Sequence, residues 1–91
     1  MPAPQGLLIV EDNKSSAMLY RAWLSSLVDD ISVAYTGQAV TDLLDQGMHP
    51  AVILLDMHLP DTTGIELLQQ LHARQLTSKV VVITSDASAE L

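Results

Sequence analysis

Three carboxylates and one hydroxyl follow predicted strands, at the points where the chain leaves the sheet. They are Glu11, Asp12, Asp56 and Thr84. Parallel strands end at one edge of a sheet, so the three carboxylates converge if the first and third strands are neighbours. Oxygen ligands without a Cys or His cluster suit Mg²⁺, which takes one or two carboxylates together with waters and phosphate oxygens. A carboxylate beside such an ion can accept a phosphoryl group. The Thr84 hydroxyl could then hydrogen-bond a phosphoryl oxygen, with the small Ser85 leaving room beside it.

Each of these residues also has a purely structural interpretation. Asp12 or Asn13 could cap the first helix, and Asp56 alone could be a turn residue after a buried strand. Thr84 alone could be a helix cap or a strand-end hydroxyl. These structural interpretations do not predict the joint occurrence of such residues after successive strands, which favours a functional site. The three histidines lack the spacing of metal ligands.

Four apolar runs alternate with three helical patterns along the chain. The predicted strands are 7–10, 31–35, 51–55 and 80–83, and the predicted helices start near Lys14, Thr36 and Thr62 or Thr63, with a fourth helix beginning after Asp86. Alternation with short connections implies right-handed crossovers and helices on both faces of a parallel sheet. The predicted fold class is therefore α/β with a doubly wound parallel sheet, formed by one domain over residues 1–91.

The spacing of apolar residues predicts which helix faces contact the core. The first helix is expected to run to Val28, and its predicted core residues are Tyr20, Leu24, Leu27 and Val28, with Trp23 at the margin. The third helix is expected to bury one face made of Ile65, Leu68, Leu71 and Leu76, flanked by Leu67.

Composition restricts the class of protein and its partners. With 48% apolar and 16% charged residues, the 91-residue chain is expected to form a compact core. Its formal charge of −7 disfavours binding to nucleic acid or to an anionic membrane surface. The absence of cysteine excludes disulfides and thiolate chemistry. No signal peptide or membrane span is recognisable, so a cytoplasmic protein is expected.

Three stretches, taken together, make the sequence similar to the receiver domain of bacterial response regulators. They are residues 7–13, 52–64 and 81–85, and the connecting helices match in length and pattern. The resemblance covers the whole chain and implies a flavodoxin-like (CheY-like) sheet. In character the chain is similar to receivers that precede NtrC-type transcription activators, including the LuxO group.

The resemblance implies a role for each acidic residue of the set. Asp56 would be the phosphoacceptor. Asp12 would ligate Mg²⁺ directly, together with Asp56, and Glu11 would act through a water molecule. The main-chain carbonyl of His58 would supply a further metal ligand.

The resemblance also assigns roles around the phosphoryl group. Thr84 would be the switch hydroxyl, with Ser85 beside it, while His58 and Asp86 would tune how long the phosphoryl group survives. The phosphodonor would be a phosphohistidine on a sensor histidine kinase or a histidine phosphotransfer protein. The chain would then be a signalling module with a downstream, transcriptional output rather than a dedicated enzyme.

The sequence departs from the family pattern at its end. The family has a fifth strand ending in Lys and a last helix, neither of which lies within residues 1–91, and no motif assigns that role to Lys14 or Lys79. The chain is therefore expected to be a receiver cut short. The strand 80–83 would then be an exposed edge that favours self-association, and phosphorylation would be slower than in a longer version.

Other functions stay open at this point. A truncated receiver could act only as a docking or dimerisation module. A phosphohydrolase with an Asp nucleophile usually needs a second Asp at the position of His58. A flavin-binding, flavodoxin-like protein would need a phosphate loop rich in Ser, Thr and Gly, whereas Glu11 and Asp12 would repel a phosphate.

Overall fold

In the described part of the chain, four short apolar runs pair side by side in one sheet, flanked by three helices. The computed structural model describes residues 5–83. In chain order its elements are β1 (Leu7–Val10), α1 (Lys14–Leu24), β2 (Ile31–Ala34), α2 (Gly37–Asp45), β3 (Val52–Asp56), α3 (Gly64–Ala73) and β4 (Lys79–Ile83). Thr84, Ser85, Asp86 and the predicted fourth helix lie outside the described residues. Among the described helices, none has the length and apolar character needed to cross a membrane.

All strand pairs are parallel, in the order β2-β1-β3-β4. This is the strand order of flavodoxin-like sheets. β2 is added on one side of β1, whereas β3 and β4 are added on the other side, so the strand order reverses between β1 and β3. Val10 pairs with Leu55, so the residues that follow β1 emerge beside Asp56. The predicted α/β fold and the predicted neighbourhood of the first and third strands are confirmed.

Helices cover both faces of the sheet because β1 and β3 are apolar on both sides. All four residues of β1 are buried. On one face, side chains of α2 and α3 join Leu8 and Val10 in the larger core cluster. On the other face, Ala17 of α1 packs with Leu7 and Ile9. The sheet is therefore doubly wound, as predicted.

Each helix starts with a side-chain cap directly after the loop that leaves a strand. The capping residues are Asn13 for α1, Thr36 for α2 and Thr63 for α3. Each side chain accepts a hydrogen bond from a backbone N–H of the first turn, which would otherwise be unpaired. Helix α2 is followed by Gly47 at φ +100°, the left-handed conformation in which glycine ends helices.

The first helix ends earlier than its apolar pattern predicted. It stops at Leu24, and Leu27 and Val28 donate their backbone N–H groups to the Leu24 carbonyl in a turn. The chain then bends towards β2. Val28 and Leu24 still pack against the core, but Leu27 is 79% exposed and Trp23 64% exposed. The prediction that Leu27 lies in the core is wrong.

The third helix buries part of the predicted face: Leu71 and the flanking Leu67 lie in the core as expected, but Ile65 and Leu68 do not. Gly64, Leu67 and Leu71 are buried, whereas Ile65 and Leu68 are 57% and 38% exposed. A Cβ on Gly64 would lie 2.9 Å from Met57 Cα, so this glycine faces the β3 end and sets the rotation of the helix. Leu76 follows the helix in the connection to β4 and packs against the core from there.

We expect two leucine truncations to have very different effects on stability. Leu8 is fully buried in β1, so Leu8→Ala should lower the free energy of unfolding by about 2–5 kcal/mol. Leu27→Ala is the matched control, because its side chain is exposed, and should change that free energy by less than about 0.5 kcal/mol. Urea unfolding measures both. A large loss of stability in Leu27→Ala would contradict this structure and would mean that Leu27 is buried, as the apolar pattern of the first helix predicted.

Candidate metal centre

The three predicted acidic residues meet at the carboxyl edge of β1 and β3. Glu11, Asp12 and Asp56 each offer a carboxylate oxygen, and these oxygens lie within 4.8 Å of one another. Backbone pairing positions them: the Glu11 N–H donates to the Ala34 carbonyl at 3.0 Å and continues the contact of β1 with β2. Asp56 is the last residue of β3 and is paired with Ile83 of β4. The expected convergence of the three carboxylates is thus observed.

Burial distinguishes the members of this acidic cluster. Glu11 and Asp56 are each only 5% exposed, whereas Asp12 is exposed at the rim. Two carboxylates close together and out of water destabilise each other unless a proton or a cation compensates their charge. Oxygen ligands of this kind and number fit a hard divalent cation that keeps part of its water shell.

The electrostatics of Glu11 reflect the same crowding. Burial raises the pKa of the Glu11 carboxyl from 4.5 to about 7, and the negative charge of Asp56 adds to this effect. The Asn13 N–H donates to Glu11 Oε2 at 3.1 Å and partly opposes the rise in pKa. In the absence of a cation, Glu11 is therefore held partly protonated near neutral pH.

The helix cap next to the cluster is Asn13, not Asp12. Asn13 Oδ1 accepts a hydrogen bond from the Ser16 N–H at 2.9 Å. Capping therefore leaves the carboxylate of Asp12 available to the acidic cluster. This resolves the two interpretations that the sequence had left open for these neighbouring residues.

The loop after Asp56 is short and closed by its own backbone. Gly64 donates its N–H to the Met57 carbonyl at 2.8 Å, and Leu59 donates to the Thr62 carbonyl at 3.2 Å. His58 and Thr63 form an isolated antiparallel bridge between these two bonds. The backbone at the Asp56 end of the loop is thus hydrogen-bonded to the start of α3.

Asp61 lies in this loop and is not among the site residues predicted from the sequence. Its carboxylate accepts hydrogen bonds from the backbone N–H groups of Gly37 and Gln38, at 2.8 and 2.9 Å. These two bonds lower the pKa of the Asp61 carboxyl. Its partners are 24 and 23 residues away, so no local pattern could have indicated the contact.

The remaining predicted site residues are placed as follows. The side chain of His58 is exposed, and the role of its carbonyl as a metal ligand stays a prediction. Thr84, Ser85 and Asp86 lie outside the described residues. Lys79 begins β4, at the opposite end of the strand from Ile83, and so lies far from the acidic cluster, as expected.

Glu11 should make the ion-free protein less stable as the pH rises. Its carboxyl has a pKa of about 7 in the folded chain against 4.5 for the free side chain. Between these values the folded state binds more protons than the unfolded state. The stabilisation present below about pH 4.5 is therefore lost as the pH rises through about 7.

Glu11→Gln should remove this part of the pH dependence. Urea unfolding in the presence of a chelator, repeated across this pH window, measures it. Asp29→Asn is the control, because Asp29 is an exposed acid in the turn before β2 and makes no contact with the cluster. An unchanged slope in Glu11→Gln would contradict the prediction.

Comparison with known proteins agrees with this arrangement. The response regulator receiver domain family matches residues 7–91. The regulatory protein LuxO of Vibrio vulnificus (strain YJ016) is 37% identical over 82 residues, which are 90% of this chain and 18% of that protein. The chain thus spans less than a fifth of the length of this relative.

Solved structures show the same fold. The signal receiver domain of a LuxO repressor protein from Vibrio parahaemolyticus has a TM-score of 0.84 at 28% identity, covering 98% of this chain and 68% of that one. A CheY-like receiver domain from Methylobacillus flagellatus has a TM-score of 0.83 at 27% identity, covering 94% and 74%. With a family match over almost its whole length, this chain belongs to the response regulator receiver domains.

Proposed function

We propose that this receiver domain accepts a phosphoryl group on Asp56 from a phosphohistidine. The donor would be a sensor histidine kinase or a histidine phosphotransfer protein. The observation that carries the proposal is the buried carboxylate of Asp56 beside Glu11 and Asp12, with oxygens of all three within 4.8 Å. Burial of two neighbouring carboxylates costs free energy unless a cation or a proton compensates their charge, which supports a functional site.

The transfer is a simple displacement at phosphorus. One oxygen of the Asp56 carboxylate forms a bond to phosphorus while the phosphorus–nitrogen bond breaks, and the electron pair of that bond stays on the imidazole. The loose transition state needs alignment and neutralisation of charge more than it needs a base. β3 fixes the position of the attacking oxygen, because Asp56 is its last paired residue.

The residues present fit Mg²⁺ as the resident ion. Asp12 and Asp56 would hold it directly, Glu11 through a water molecule, and the main-chain carbonyl of His58 would complete the protein ligands. When bound, the ion neutralises negative charge on the carboxylates and on the phosphoryl oxygens. The exposed position of Asp12 at the rim leaves room for water ligands and for an incoming phosphoryl group.

The same proposal assigns roles to four residues around the phosphoryl group. The Thr84 hydroxyl would contact a phosphoryl oxygen and act as the switch, with Ser85 beside it. His58 and Asp86 would tune the lifetime of the phosphoryl group. The exposure of the His58 side chain supports its part, because an exposed group can admit or exclude attacking water.

The output of the switch would be exerted elsewhere. The chain covers 18% of the LuxO protein that it matches, and its charge of −7 disfavours direct contact with DNA. We therefore propose a receiver that controls a transcriptional output and that is not a dedicated enzyme.

A docking or dimerisation module is the second candidate function. Within residues 5–83, β4 pairs only with β3, and its Val81 and Val82 are 42% and 44% exposed. An unpaired apolar edge strand is a template for pairing with another chain. This candidate needs no phosphorylation.

Asp56→Asn should abolish phosphorylation. Incubation with acetyl phosphate and Mg²⁺, followed by intact mass measurement, should show the mass of one phosphoryl group on the wild-type chain and none on the variant. Asp29→Asn is the matched control, because Asp29 is exposed before β2, and it should be labelled like the wild type. Labelling of Asp56→Asn would contradict the assignment of the acceptor.

The docking or dimerisation module can be tested by measuring whether the chain self-associates. Sedimentation equilibrium of the chain over a range of concentrations should show dimers if β4 mediates pairing, and Val82→Lys should shift the population to monomers because it places a charge at the strand edge. An unlabelled wild-type chain that dimerises would favour the docking module over the phosphoacceptor. A monomer at every concentration would exclude dimerisation through β4.

A further inference from the structure

The loop after the phosphoacceptor strand is bound to the start of a helix that precedes it in the chain. Asp61 Oδ1 accepts from the Gly37 N–H at 2.8 Å, and Asp61 Oδ2 accepts from the Gln38 N–H at 2.9 Å. Both oxygens of one carboxylate are therefore used by the first turn of α2. The first backbone N–H groups of a helix have no partner within the helix, and they carry partial positive charge.

The loop and the start of α2 also pack closely at Gly37, which has no side chain. A Cβ on Gly37 would lie 2.5 Å from Thr62 Cγ2 and 3.3 Å from Asp61 Oδ1. The glycines at positive φ are Gly6 and Gly47, so the backbone of Gly37 would accept another residue. Lack of space, rather than conformation, therefore favours glycine at position 37, because any larger residue would have to displace the Thr62 side chain. We call the set Gly37, Gln38, Asp61 and Thr62 the loop–helix contact.

Capping of α2 does not by itself explain Asp61. Thr36 already caps this helix, since its Oγ1 accepts from the Ala39 N–H at 3.0 Å. Asp61 satisfies the two preceding N–H groups and does so from another segment of the chain. Its bonds therefore connect two segments, whereas the bond of Thr36 lies within one.

Backbone hydrogen bonds within the loop connect the segment at Asp61 to the backbone at His58. Leu59 donates to the Thr62 carbonyl, and His58 bridges to Thr63, so the tip of the loop and its base are hydrogen-bonded to each other. His58 is two residues after Asp56. A shift of the tip at Asp61 would therefore displace the backbone at His58.

We propose that Asp61 is a positioning residue that holds the 57–63 loop against α2 and so fixes the His58 backbone beside Asp56. Its effect on Mg²⁺ rests on the proposed function, in which the His58 carbonyl is a metal ligand. Its effect on the loop itself does not rest on that function. Weakening the loop–helix contact makes the loop more mobile. Because the His58 carbonyl then moves relative to Asp56, the affinity for Mg²⁺ falls.

The first test compares variants of the two caps of α2 in the full chain. Asp61→Ala should weaken Mg²⁺ binding, measured calorimetrically with the metal alone, by about threefold to tenfold, which is at or below the lower end of the range for groups that support metal ligands, because Asp61 acts through the loop backbone. Asp61→Asn keeps one acceptor oxygen and should lie between Asp61→Ala and the wild type. Thr36→Ala is the matched control, because it removes a cap of the same helix without touching the loop, and it should leave Mg²⁺ affinity unchanged.

The second test perturbs the loop–helix contact by a substitution in α2 instead of in the loop. Gly37→Ala should push Thr62 away and speed the hydrogen exchange of the Leu59 and Gly64 amides, which close the loop. The double variant Gly37→Ala/Thr62→Ser lacks the clashing methyl group and should restore slow exchange. Exchange of core amides in β1 shows whether each variant is folded. This readout needs no metal.

The outcomes separate the inference from the proposed function. If Thr36→Ala weakens Mg²⁺ binding as much as Asp61→Ala does, or if loop exchange is unchanged in both the Asp61 and Gly37 variants, the positioning role is wrong. If the wild-type chain binds no Mg²⁺, the proposed function fails. Faster loop exchange in Asp61→Ala and Gly37→Ala, but not in Thr36→Ala, would still support the loop–helix contact.

Discussion

The parallel pairing of β1 with β3 is the interaction on which the site depends. Its register places Val10 opposite Leu55, so Glu11 and Asp56 both leave the sheet at the same level. The pairing is held by residues that are apolar on both faces and buried beneath helices on each side. A slip of one residue would move every side chain of the strand to the other face of the sheet, so the same core that stabilises the fold also specifies the geometry of the acidic cluster.

The acidic cluster opposes the stability that the core provides. Two carboxylates that are 5% exposed lose hydration and lie close enough to repel each other, and both effects raise the pKa of Glu11. No contact inside the cluster removes it, since the Asn13 N–H offsets it only in part. A bound divalent cation would turn the same repulsion into attraction. Binding sites often contain such local conflicts with stability.

The carboxyl edge of the sheet is also where every described helix begins. Asn13, Thr36 and Thr63 cap their helices there, because each helix follows directly after the loop that leaves a strand. Asp61 in the loop that follows β3 accepts hydrogen bonds from the start of α2, so it connects two of these loops. The site is therefore surrounded by backbone N–H groups and short loops whose positions depend on one another.

Element order, helix starts and the acidic residues could be read from the sequence, because strand and helix periodicity, caps and strand-end polar residues are local patterns. The exact length of α1 and the rotation of α3 depend on packing between segments and could not be read from such patterns. Leu27 and Leu68 fit an apolar stripe, but a helix end at Leu24 and the seat of Gly64 against Met57 leave them exposed. The contact of Asp61 with Gly37 joins positions 24 residues apart, and only the folded chain brings their atoms within hydrogen-bonding distance.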